Sequence, residues 1–186
     1  VRRLALALAC SGVLAAALAP AAIASPHAAA VSAWGAHDAR LLGLGWRLAR
    51  ANAAFCIQRQ QAIGLILTDF RRFEDPAGVA RSVGAAGGVA VSAVAPGSPA
   101  ERAGIAGGEA LLAIDGAPPP AGSLPRDLRL ADLLQDRIDA ALAARGSVAL
   151  RLAAPGRPAS DVVVAGESVC RARFTLLSTG TSAMSE

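Results

Sequence analysis

The chain of 186 residues contains no lysine and no tyrosine, and only one methionine, two histidines and three cysteines. Each scarcity removes a class of function. All 18 cationic residues are arginine, and setting aside Arg2 and Arg3 leaves 16 of them against 14 acids. They form no basic cluster, and aromatics, at 3%, are too few to interleave with them as base-stacking platforms. The formal charge of +4 therefore does not argue for a nucleic-acid partner. With His27 and His37 as the only histidines, no His-Glu-x-x-His zinc site can be built. Ser98 and Ser123 lack a histidine near a nucleophile turn. Asp132, Asp136 and Asp139 share helical spacing and read as a solvated face. No catalytic residue, metal ligand or cofactor is expected in these residues.

What is present is apolar and small. Hydrophobic residues make up 54% of the chain, mostly alanine, and the length allows one ordinary domain with appendages. Val1–Arg3 followed by the apolar run Leu4–Leu18 and the small-x-small step Ala22-Ile23-Ala24 reads as a secretory signal over residues 1–24. The rival reading is an uncleaved anchor, the one route by which this chain would touch a membrane. Pro20 and the weak hydropathy of alanine favour cleavage near Ala24. Only six residues separate Cys10 from Arg3, too few for the apolar core that precedes a lipidated cysteine. The expected location is periplasmic or secreted.

The densest pattern lies between Gly88 and Gly116. Val89, Val91 and Ala93–Ala95 suit a strand, Pro96-Gly97 breaks it, and Ser98 caps a short helix that opens with Pro99 and Glu101. Gly104 stops that helix, Gly107-Gly108 turns into the strand Ala110–Ile114, and Asp115-Gly116 closes it in a tight turn. This order of residues resembles the PDZ domains of bacterial envelope proteases. Ile105, Glu109 and Asp115 stand where those domains carry Leu, Asp and Asn. The resemblance implies an α+β fold, a PDZ-like partly open β-barrel with two helices, and a peptide or protein C-terminus as partner.

Around this unit the organisation is simpler. Residues 31–55 read as an amphipathic helix with His37, Leu41, Leu44, Leu48, Ala51 and Phe55 on one face, expected to pack on the domain that follows. Gly35, Gly43 and Gly45 weaken it. Ile63–Thr68 is a short apolar strand, and Asp69–Gly87 a loop with one helical turn. Arg129–Arg145 is the clearest helix, its apolar face formed by Leu130, Leu133, Leu134, Ile138, Ala141 and Leu142, with Gly146 as its stop. Ser147–Leu152 and Asp161–Val164 form a final hairpin. Once the signal is gone, Cys56 and Cys170 remain. In an oxidising compartment they read as one disulfide bracketing the PDZ-like unit, with two buried thiols as the alternative.

The resemblance also assigns a ligand site. A PDZ domain takes a peptide as an added strand between an edge strand and a helix, with the terminal carboxylate on main-chain N–H groups. Here the loop and strand fall on Ile63, Gly64, Leu65 and Ile66, and the pocket walls on Leu133, Leu134 and Ile138. Gly64 is expected to tolerate Val for folding but not for binding.

A second resemblance covers most of the chain. The helix ending Asn52-Ala-Ala-Phe-Cys56, the PDZ-like unit, Val169-Cys170-Arg-Ala-Arg-Phe174 and Ser182-Ala183 are similar to the N-terminal half of secreted M48-like zinc metallopeptidases. Such proteins carry Asn-Ala where Ser182-Ala183 stands, and their catalytic part would begin beyond Glu186. The expected layout is a signal over 1–24, a helical segment over 25–58, the PDZ-like domain over 59–166 and a tail strand over 167–186. The expected function is peptide recognition supporting envelope proteolysis. The alternatives are the regulatory front of a zinc peptidase and a scaffold whose groove is filled.

Overall fold

A computed structural model describes residues 26–82, 88–120 and 129–172. The first helix, α1, runs over Pro26–Ala51 and is continuous through its glycines. At Gly35 and Gly43 the helix lies close against the domain. A side chain on Gly35 would stand 3.1 Å from the Ser92 carbonyl oxygen, and one on Gly43 3.4 Å from the Pro96 ring. After α1 come β1 (Arg59–Ala62) and β2 (Leu65–Asp69), a single 3₁₀ turn over Phe70–Arg72, and α2 (Pro76–Ser82). Then follow β3 (Val89–Val94), α3 (Pro99–Arg102), β4 (Ala110–Ile114), α4 (Leu130–Arg145), β5 (Ser147–Ala153), β6 (Ser160–Ala165) and β7 (Glu167–Cys170).

Five strands form one antiparallel sheet in the order β2-β3-β4-β5-β6, while β1 pairs with β7 in a separate two-stranded sheet. The sheet does not close, so the α+β architecture is that of an open barrel, as the sequence implied. Local chemistry accounts for the joints. Ser98 Oγ accepts from the Glu101 N–H at 3.2 Å, and Glu101 Oε2 accepts from the Gly97 N–H at 2.7 Å, which together cap α3. Asp115 and Gly116 both take positive φ, 49° and 78°, and Ile114 and Ala117 exchange two backbone hydrogen bonds across them. This is the two-residue hairpin turn that Asp-Gly favours. Gly146 ends α4 in the left-handed region at φ 72°.

One face of the sheet packs on α4. Val89, Val91, Leu111, Leu150 and Val164 are buried there with Leu134 and Ile138. Alternation along β3 sends Ala90 to the opposite face, where it meets Phe70 and Val79. On that same side α1 delivers Trp46 and Ala49 against Ala95, Val169 and Cys170.

Three expectations need correction. Arg-Gln-Gln-Ala shows no apolar alternation and carries no element in the sequence reading; its partner β7 makes it the strand β1. The segment after Asp69 holds a 3₁₀ turn and a two-turn helix rather than one turn in a loop, and residues 83–87 lie outside the described residues. Finally, α1 does pack on the domain, but through Leu42, Trp46 and Ala49. The stripe expected to pack faces solvent instead, with Leu44 53%, Leu48 55% and Phe55 85% exposed. The bare helix surface at Gly35 and Gly43 sets which side approaches the sheet, and that side carries Trp46 rather than the leucines.

Candidate peptide groove

β2 is the edge of the five-stranded sheet, and among the described strands only β3 pairs with it. The direction of its main-chain groups follows from bonds on the far side. Leu67 sits opposite Val91, whose N–H goes to the Glu109 carbonyl and whose carbonyl accepts from the Gly108 N–H, both toward β4. In antiparallel alternation, Leu67 therefore turns its own N–H and C=O away from β3. At the start of the strand, Ala95 N–H reaches the Gly64 carbonyl at 2.8 Å. That bond makes Leu65–Val94 a non-bonded pair, so Leu65 also presents its main chain to the open edge. Beyond the bulge between Ile66 and Leu67, the strand ends at Asp69, which accepts from the Arg71 N–H and pairs with the Arg71 side chain. That hydrogen-bonded carboxylate raises the guanidinium pKa of Arg71.

The loop ahead of β2 is pinned from behind. The Ile63 carbonyl accepts from the Ala100 N–H at 2.9 Å, tying the loop to α3. Gly64 takes φ +74°, and a Cβ there would overlap the Ser98 Cβ while standing 3.2 Å from the Trp46 ring. This overturns the expectation that Gly64 tolerates Val for folding. The site is closed by conformation and by close packing together.

α4 forms the other wall. Leu134 and Ile138 are fully buried in one cluster with Ile63 and Leu65, whereas Leu133 is 37% exposed and Ile66 half-buried. One flank of α4 is fixed by Arg137, which donates to the Pro118 carbonyl. The opposite flank is marked by Leu142, whose Cδ2 would stand 3.2 Å from a side chain on Gly166, beside Gln61 of β1. Gln135 lies two turns before Leu142 on that flank, and its Oε1 is buried without a partner among the described residues. The Trp46 indole N–H is likewise buried and unpaired among the described residues. Sequence reasoning missed both. The signal for Gln135 was a lone uncharged polar residue bordering the apolar stripe of α4.

Salt bridges join the parts behind the groove. Glu167 of β7 takes Arg50 of α1 at 2.6 Å and Arg102 of α3 at 3.0 Å. Cys56 and Cys170 form a disulfide with Cα atoms 5.6 Å apart, fastening β7 to the segment after α1. Among the described residues no three His, Cys, Asp or Glu side chains gather where they could hold a metal.

An edge strand with outward main chain, a glycine loop before it and a helix alongside are now in place, and residues 90–138 match the family model described as PDZ domain. The fold is PDZ-like. The solved structures similar to this PDZ-like chain include the HtrA3 PDZ domain bound to a phage-derived ligand (FGRWV). It is 21% identical with a TM-score of 0.44, over 60% of this chain and 89% of that one. Another is the HtrA-type protease AlgW with a decapeptide, 18% identical with a TM-score of 0.39, over 58% of this chain and 29% of that one. No curated protein matches the sequence.

Proposed function

We propose that the PDZ-like domain binds the C-terminal end of a peptide as a further strand on β2. The observation that carries this reading is the outward main chain of Leu65 and Leu67 on an edge with no described partner. Two residues offer two N–H and two C=O groups, the ladder an antiparallel ligand strand needs. The loop Ile63–Leu65 would receive the terminal carboxylate, with Leu134 and Ile138 beneath and Gln135 as an added polar contact. The scaffold alternative is disfavoured, because α1, the 3₁₀ turn and α2 lie on the sheet face opposite α4.

The finer reading is an exported protein, cleaved near Ala24 and serving proteolysis in the envelope. The disulfide supports an oxidising compartment. No helix among the described residues is long and apolar enough to cross a membrane. A second reading, the front portion of a zinc metallopeptidase, draws on Asn52, which closes the end of α1 through the Leu48 carbonyl and accepts from the Cys56 N–H just before the disulfide. An open reading frame encoding His-Glu-x-x-His past codon 186 is what it requires.

Fluorescence anisotropy with a library of labelled peptides tests the main proposal. Saturable binding of free C-termini, weakened at least about tenfold by amidation, is expected, since each charge-assisted hydrogen bond is worth about 1.5–3 kcal/mol. Equal binding of amidated peptides, or none at all, would remove the carboxylate site.

A further inference from the structure

The loop ahead of β2 is held from two sides by different parts of the chain. Ile63 belongs to the core cluster that α4 covers. Gly64, the next residue, backs onto α1: a Cβ there would stand 3.2 Å from the six-membered ring of Trp46. Trp46 is 5% exposed and shares its cluster with Ala95, whose N–H holds the Gly64 carbonyl at 2.8 Å. The ring therefore stands beside the bond that fixes the loop. Both loop carbonyls are engaged inward, on the Ala95 and Ala100 N–H groups, whereas the N–H groups of Ile63 and Gly64 have no backbone partner among the described residues.

We propose that Trp46 is a positioning residue for the terminal carboxylate of the ligand, so that α1, an element outside the sheet and the groove, completes the site. The inference rests on the peptide reading above and names what stiffens its anion site. Two N–H donors hold a carboxylate well only if their spacing and direction are set beforehand, since ordering the loop on binding offsets the hydrogen bonds gained. A glycine at positive φ supplies the shape of such a loop but not its stiffness, because no residue has wider backbone freedom. Here the flat ring behind Gly64 fills the space into which the loop would relax, and packed interiors yield little. The ring is itself braced by the mounting of α1. Asp38 accepts from Ser92 Oγ of β3, Arg50 pairs with Glu167 at 2.6 Å, and the disulfide ties the segment after α1 to β7. A purely structural Trp46 makes a different prediction: its truncation lowers stability and leaves the ratio of acid to amide affinity as it was.

The test compares the free-acid and amidated forms of one labelled peptide on the full chain by fluorescence anisotropy. The native chain should favour the acid at least about tenfold. Trp46→Leu keeps an apolar side chain in the cluster but lacks the ring. It should cut that preference to below about threefold while changing affinity for the amide less than about twofold. Trp46→Phe keeps a ring against Gly64 and should retain the preference. Urea unfolding of each variant sets conditions in which it is folded. A preference undiminished in folded Trp46→Leu overturns the inference, as does an equal loss in Trp46→Phe. A second reading needs no substitution: tryptophan emission of the native chain should change on saturation with the acid and not with the amide. The same response to both forms overturns the inference too. A native chain that binds neither form, or both alike, overturns the peptide reading itself and this inference with it.

Discussion

At Gly64 a methyl group meets two obstacles at once, a left-handed backbone and the Ser98 side chain. Gly64→Ala is expected to cost about 2–4 kcal/mol in chemical denaturation, the sum of the φ penalty and the forced shift. Adding Ser98→Gly removes the obstructing Cβ and should recover part of that loss, leaving the backbone strain, the contact with the Trp46 ring and a few tenths of a kcal/mol for the lost α3 cap. Asp115 shows a residue held by charge instead. The Ala149 N–H donates to its Oδ1 at 3.1 Å, and with Arg145 beside it the carboxyl pKa is lowered. Its contribution to stability is therefore present above the ordinary carboxylate range and is lost as pH falls through the lower folded value. Asp115→Asn keeps the left-handed turn and should flatten the acid limb of stability against pH, read as urea midpoints from pH 7 to 2.

Elements stand or fall by their ends and edges. Ser98→Ala should destabilise the protein by about 1 kcal/mol through the loss of the α3 cap, measured by urea unfolding. On β2, Leu67→Pro removes an N–H that serves no partner within the sheet, and proline is tolerated on such an edge. Peptide affinity should fall at least about tenfold, with the sheet retained by circular dichroism, if the ligand strand uses that donor. Much of this was legible beforehand. Asp-Gly, Pro-Gly-Ser-Pro and the glycine after α4 each encode a local backbone state, so β3, α3, β4 and α4 lay where their punctuation placed them. Elements defined by distant partners were not legible. β1 is a strand because β7 returns to it, and Trp46 rather than Leu48 is buried because of how closely α1 lies on β3. Gln135 and Trp46 belong to the same class: their unpaired polar atoms are properties of packing, which periodicity does not report.

For the whole molecule, the disulfide closes the longest loop, joining residues 114 apart. In the chain-entropy account its removal costs about 4–5 kcal/mol. Cys56→Ser with Cys170→Ser should lower Tm by on the order of 10 °C, and a reducing agent should do the same to the native chain in differential scanning calorimetry. The β1–β7 ladder beside it has a further effect. Arg59 pairs with Cys170 and Ala62 with Glu167, so the chain enters and leaves the PDZ-like unit through one doorway. Sequence on either side of the unit emerges side by side. To such flanking sequence the whole unit is topologically a short surface loop, a cassette that could be gained, lost or exchanged with little disturbance to its surroundings.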